Sequence, residues 1–131
     1  MGLIYVDACL IIYLIESHAQ WAGAVTAAMQ NAPGQSFAIS PLVKLECLVK
    51  PIKSADFPLQ QRYEAGLRQL VLLEMSEPVF LQAAHLRARF SLKTPDALHL
   101  ACAQHHGCSA LWTNDDRLAQ AAHGLARNVL R

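Results

Sequence analysis

Charge is scarce in this chain. Of its 131 residues only 16% are charged, 11 Lys and Arg stand against 10 Asp and Glu, and the formal net charge is +1. That balance excludes a broad, field-dominated basic surface of the kind many DNA-binding domains carry, although a few clustered cations can still meet phosphates. Cysteine is limited to Cys9, Cys47, Cys102 and Cys108, far apart and without a CxxC pair. A disulfide framework is therefore excluded, and the four are expected to be reduced, mostly buried thiols of a cytosolic protein. His99, Cys102 and His106 share one helical face and Cys108 follows, but their spacing matches no closed zinc motif, and one straight helix cannot surround a tetrahedral ion. The chain has no Gly-rich phosphate loop, no GxSxG and no local signature of a Cys nucleophile. Its N-terminal apolar run is too short to span a bilayer, lacks a basic leader and is interrupted by Asp7. Neither a signal peptide nor a membrane span is expected, and the expected location is cytoplasmic.

What the chain does have is apolar surface: 53% of its residues are hydrophobic. With no repeat, linker or low-complexity stretch, residues 1–131 read as a single domain with a sizeable core. Part of the apolar surplus is expected to face a partner chain, because obligate interfaces resemble a core cut in half. Ile12, Leu14, Trp21 and Val25 are candidates for such a surface.

Leu3 to Val6 form a continuous apolar run that suits a buried parallel strand, with Asp7 at its carboxyl end. A buried helix follows from Ala8 to about Ser17, then a second from Gln20 to Gln30. Ser36–Ser40 is the second strand. Pro41 opens a helix that Pro51 is expected to end, with Leu42, Leu45 and Val49 as its inward stripe and Glu46 in the same stripe. Lys53 to Pro58 reads as a loop, Leu59–Leu70 as an amphipathic helix and Val71–Met75 as the third strand. Ser76 caps a helix whose buried stripe is Val79, Ala83, Leu86 and Phe90; Thr94-Pro95-Asp96 opens another as cap, first position and acid. Ala110–Thr113 is the fourth strand, a short helix starts near Arg117, and a weak last strand covers Ala126 to Leu130. Strands alternating with helices at this spacing give an α/β fold: a parallel sheet of four to five strands with helices on both faces.

Each acid has an ordinary explanation taken alone. Asp7, Asp115 and Asp116 suit helix caps, Asp96 complements a helix dipole, and Glu46 can pair with a basic neighbour. The set is harder to explain in that way. Asp7 and Asp115 end strands, Glu46 and Asp96 sit on helices beside them, and all four can converge at one edge of the sheet. Clustered carboxylates repel unless a cation is present, and hard oxygen donors favour Mg²⁺ or Mn²⁺.

Four stretches carry a resemblance: Ile4-Tyr5-Val6-Asp7-Ala8-Cys9-Leu10, the helix of Glu46, Thr94-Pro95-Asp96-Ala97-Leu98-His99-Leu100-Ala101, and Leu111-Trp112-Thr113-Asn114-Asp115-Asp116-Arg117-Leu118. Together, and in this order, they resemble the motifs of PIN-domain ribonucleases, most closely the VapC-type toxins of toxin–antitoxin pairs. The resemblance implies a three-layer α/β/α domain, a metal-dependent endoribonuclease, restraint by a small cognate antitoxin, and a homodimer. It implies that Asp7, Glu46, Asp96 and Asp115 are the acidic quartet holding Mg²⁺ or Mn²⁺, with Thr113 and Asn114 as polar neighbours. Asp115 is preferred to Asp116 because it directly follows Thr113-Asn114. Cys9 departs from the pattern, standing where a small polar residue is usual. Asp7 and Asp96 would hold one ion, with Glu46 and Asp115 holding a second or orienting water. Lys44, Lys50, Arg87, Arg89, Lys93 and Arg117 are candidates for contacts to the RNA backbone. The alternatives are a non-catalytic RNA- or protein-binding module of the same fold, a receiver domain, which would need an acceptor Asp where Met75-Ser76 stands, and a dehalogenase-like phosphatase, which would need an acid where Cys9 stands.

Overall fold

The computed structural model describes residues 2–122 and 124–130. Five strands, β1 (Gly2–Val6), β2 (Gln35–Ile39), β3 (Val71–Leu72), β4 (Ala110–Thr113) and β5 (Ala126–Asn128), form one parallel sheet in the order β3-β2-β1-β4-β5. Between them run α1 (Ala8–Ile15), α2 (Ala22–Gln30), α3 (Pro41–Lys53), α4 (Phe57–Leu67), α5 (Glu77–Phe90), α6 (Thr94–His105) and α7 (Asp116–Ala121). The chain winds outward from β1 to β3, then returns to build β4 and β5 on the other side. Right-handed crossovers put α1–α4 on one face and α5–α7 on the other. Packing agrees: α1 touches α2, α3 and α4, and α5 lies on α6. The reversal occurs at the β1–β4 boundary, where Val6 pairs with Trp112, and a crevice opens beyond the carboxyl ends of those two strands.

The centre of the core is apolar on every side. Tyr5, Val6, Leu10, Ile39, Leu100 and Leu111 are fully buried. In α6 every residue from Ala97 to Ala103 is buried. A helix enclosed all round needs small residues where neighbours approach, and Ala97, Ala101 and Ala103 supply them. His99 is the one basic side chain in that buried run.

The α/β class, the parallel sheet and the helix on either side of each strand follow the sequence pattern, but several elements differ in detail. Helix α3 does not stop at Pro51. The ring forgoes only the amide bond to the Cys47 carbonyl, and it is buried against the core, so the helix continues to Lys53. The inward stripe of α3 is Val43, Cys47 and Pro51, while Leu45 and Val49 are 58% and 52% exposed. Both stripes have helical spacing, and the sheet lies under the one with the smaller side chains. Helix α4 starts two residues earlier than the spacing suggests, because Asp56 accepts the Leu59 amide at 3.1 Å and caps it. Strand β3 is only two residues long. After the Leu73 amide bonds the Ile39 carbonyl at 2.8 Å the chain leaves the sheet, so the exposed edge stays short. Lys93, not Thr94, precedes the first turn of α6, and β5 ends at Asn128. Val25 is fully buried within the chain, which removes it from the proposed partner surface; Ile12, Leu14 and Trp21 are partly buried. Among the described residues no helix is long and apolar enough to cross a membrane.

Candidate metal centre

Asp7 occupies the cap position of α1 in an extended conformation, yet its carboxylate makes no capping bond. Its backbone amide is held by the Trp112 carbonyl at 3.0 Å, which continues the β1–β4 ladder and fixes the residue at the crevice. Oδ2 instead accepts the hydroxyl of Thr113 at 3.0 Å. Thr113 is fully buried at the end of β4, and its Oγ1 also accepts the Asp115 amide at 3.1 Å. One hydroxyl thus ties the acid of β1 to the turn that carries the acid after β4.

Glu46 reaches this crevice from α3, one position before the buried Cys47, at the edge of the helix's inward face. Its Oε1 lies 2.7 Å from His99 Nε2, and the same nitrogen is 3.7 Å from Asp7 Oδ1. Ligand atoms of Asp7, Glu46 and His99 all fall within 4.8 Å of one another. Asp96, in the first turn of α6, lines an adjoining cleft with Asp115. Its carboxyl is pushed above the usual range, first by desolvation and then by the charges of Asp115, Asp7 and Glu46, with His99 opposing. A partly buried acid raised first by desolvation and then by neighbouring carboxylates is one whose ionised form a bound cation would favour. The donor set is oxygen-rich, which fits a hard divalent cation.

The doublet after β4 divides its work. Asp115 caps α7 through Oδ1, which accepts the Arg117 amide at 2.9 Å, and it faces the cleft beside Asp96. Asp116 bonds the side-chain amide of Asn128 at 3.0 Å, toward β5. Asn114 does not turn toward the acids. Its side-chain amide donates to the Tyr13 hydroxyl at 3.0 Å and so ties the β4 turn to α1.

The cleft of about 460 Å³ is lined by Lys93, Asp96, Asp115, Arg117 and Gln120, with Phe90 and Leu92 among its apolar walls. Of the cations singled out in the sequence, Lys93 and Arg117 stand here. Lys50 is spent on Glu16 at 2.8 Å, Arg87 Nε bonds the Leu92 carbonyl at 3.0 Å, and Arg89 lies 5.4 Å from the centre of the Phe90 ring. Lys44 is half-buried on α3 and is not among the cleft residues.

His99 is the member of the site that sequence reasoning missed. It follows Asp96 by three residues and so shares its face of α6, which was the available signal. The grouping with Cys102 and His106 pointed elsewhere. Cys102 Sγ and His106 Nε2 both face the Glu74 carbonyl, at 3.8 and 2.8 Å, and burial pushes the Cys102 thiol up to about 12.

The PIN-domain family model matches residues 4–124. The chain belongs to the PIN-domain family. Solved structures superpose over nearly the whole of it. A toxin–antitoxin complex from Klebsiella pneumoniae matches with a TM-score of 0.80 and 24% identity, over 96% of this chain and 97% of that one. VapBC2 from Rickettsia felis, bound to a DNA fragment of its promoter, matches at 0.81 and 17% identity, over 96% and 98%. VapC20 from Mycobacterium tuberculosis, described as a toxin cleaving the sarcin–ricin loop, matches at 0.75 and 15% identity, over 90% and 94%. No curated protein sequence is significantly similar to this PIN domain.

Proposed function

We propose that this PIN domain is a metal-dependent endoribonuclease and the toxin of a toxin–antitoxin pair. One observation carries the reading: Asp7 and Glu46 bring ligand atoms within 4.8 Å of each other where the sheet's winding reverses, and the carboxyl of Asp96 is raised, first by desolvation and then by the charges of Asp115, Asp7 and Glu46. Capping accounts for Asp115 alone, since the carboxylate of Asp7 makes no such bond. Asp7, Asp96, Glu46 and Asp115 are the residues that would hold Mg²⁺ or Mn²⁺. When bound, the ion supplies charge neutralisation at the phosphate and lowers the pKa of a water for in-line attack.

The chain's own residues account for the rest. Thr113 holds Asp7 in one orientation, and the Arg117 amide holds Asp115. Lys93 and Arg117, among the cleft's lining residues, supply positive charge suited to the phosphates flanking the cut. The cleft's size and its mixture of Phe90, Leu92 and Gln120 suit one nucleotide of a single strand, the form in which RNA exposes its bases. Of Thr113, Asn114 and Arg117, Arg117 lines this cleft, while buried Thr113 acts through Asp7 and Asn114 is bonded to Tyr13. The toxin–antitoxin complexes among the structural relatives support a small antitoxin as the partner, and a homodimer is the proposed assembly.

Cleavage of a mixed single-stranded RNA pool tests the reading. Purified protein free of antitoxin should cut with Mg²⁺ or Mn²⁺, stop in EDTA, and lose at least a hundredfold in rate as Asp7→Asn. Folded protein that cuts nothing in the pool under either metal, and cuts no structured RNA either, would transfer the assignment to a non-catalytic binding module.

A further inference from the structure

His99 is 1% exposed, yet it touches three polar groups in the heart of the domain. Its Nδ1 lies 2.6 Å from the Tyr5 hydroxyl, and that hydroxyl lies 2.6 Å from Ser40 Oγ. On the other side Nε2 meets Glu46 at 2.7 Å and Asp7 at 3.7 Å. Tyr5 belongs to β1, Ser40 follows β2 at the cap position of α3, His99 lies in α6 and Glu46 in α3, so the chain of contacts crosses the sheet edge between helices on opposite faces.

For an uncharged imidazole facing an ionised Glu46, the hydrogens in this row have one self-consistent arrangement. An ionised carboxylate can only accept, so the hydrogen between Nε2 and Glu46 belongs to the imidazole. In the uncharged ring Nδ1 is then bare and must accept, and the hydrogen in reach is the phenol's. Burial holds that phenol far above its usual range, so it keeps its hydrogen to give. Ser40 in turn donates to the phenol oxygen. The direction runs Ser40 to Tyr5 to His99 to Glu46, and among the described residues no buried side-chain nitrogen or oxygen lacks a partner.

We propose that His99 is a positioning residue for the metal centre: its Nε2 hydrogen fixes the Glu46 carboxylate, and the Tyr5–Ser40 hydroxyl pair selects the tautomer that carries this hydrogen. The proposal rests on the reading that the acids bind a divalent ion. Glu46 stands on an exposed helix, 29% exposed, and a free glutamate would have many rotamers. The bond from His99 occupies Oε1, holds the side chain over the crevice and leaves Oε2 for a ligand. Partners that orient a metal-binding carboxylate in this way are typically worth about 10- to 100-fold in metal affinity.

The test titrates Mn²⁺ alone into metal-free wild type, His99→Leu, His99→Gln and Tyr5→Phe, beside ¹⁵N NMR of the His99 ring in EDTA. Wild type should show the Nε2–H tautomer. His99→Leu should bind Mn²⁺ about 10- to 100-fold more weakly, and His99→Gln, which keeps a donor near Nε2, should recover most of the loss. Tyr5→Phe should show both tautomers and an intermediate affinity. Equal Mn²⁺ affinity in folded His99→Leu and wild type overturns the proposal. A His99→Leu chain that does not fold leaves Tyr5→Phe decisive, and there one unchanged tautomer with unchanged affinity overturns it. Wild type that keeps the Nε2–H tautomer but binds no Mn²⁺ overturns the metal reading itself, and the positioning role falls with it.

Discussion

Asp96 bears the electrostatic cost of the site. Its carboxyl is raised in the folded protein, so the native state holds that proton more tightly than the unfolded chain does. Below the unfolded pKa, about 3.9, both states are protonated and no penalty exists. As pH rises through the interval up to the folded value, the native state loses stability. Asp96→Asn removes this penalty. In EDTA its melting temperature should exceed wild type at pH 7, the two should converge toward pH 3 to 4, and RNA cleavage should be abolished. A wild type that melted higher at pH 7 would contradict the crowding of acids. Thr113 offers the opposite case. Thr113→Val keeps the shape but deletes the donor to Asp7 and the acceptor for the Asp115 amide. Denaturant unfolding should show a loss of about 1–3 kcal/mol, and Mn²⁺ affinity should fall. The pairing of Asp7 with Glu46, and of Asp96 with Asp115, was legible because acids are few and their places relative to strands are readable. His99 was not: its role depends on Tyr5 and Ser40, 94 and 59 residues away in sequence, and spacing along one helix carries no information about either.

On helix α3 the sequence offers two apolar stripes, and periodicity cannot choose between them. Leu42, Leu45 and Val49 form one; Val43, Cys47 and Pro51 form the other and face the core. The sheet decides, because Glu46 must reach the crevice from the boundary between them. Val43→Ala should therefore cost about 2 kcal/mol, whereas Val49→Ala should stay within about 0.5 kcal/mol, both measured by urea denaturation. Equal costs would contradict the burial of the Val43, Cys47 and Pro51 face. Elements with a single strong signal were easier to read. Strands β1 and β4 are unbroken apolar runs, and α5 has one buried stripe, Val79, Ala83 and Leu86, that its spacing announces. Element ends were harder. They depend on local events such as the Asp56 cap or the departure of the chain after Leu73, which compete with propensity over one or two residues.

At the scale of the whole molecule, the candidate metal centre has no local unit behind it. It draws on β1, α3, α6 and the turn after β4, so an ion that binds there binds only the folded chain. Mn²⁺ at a hundred times its dissociation constant should raise the unfolding free energy by about 2.7 kcal/mol, and Asp7→Asn should lose most of that rise in a thermal melt. The parallel topology itself was legible from alternation of strands and helices, since right-handed crossovers leave few arrangements. One part of it has a consequence in time. Asp7 and Thr113 are 106 residues apart in sequence, and the β1–β4 ladder that joins them closes the longest loop in the sheet's centre. On a ribosome, the first strand and its acid emerge long before the strand they must pair with. At about 5–20 residues per second, the growing chain spends roughly 5 to 20 seconds without an assembled centre. Nascent chains stalled at increasing lengths should gain RNA cleavage only once Thr113 to Asp116 have cleared the exit tunnel. Synthesis would then act as its own delay, giving an inhibitor made alongside this chain time to be present when the centre first closes.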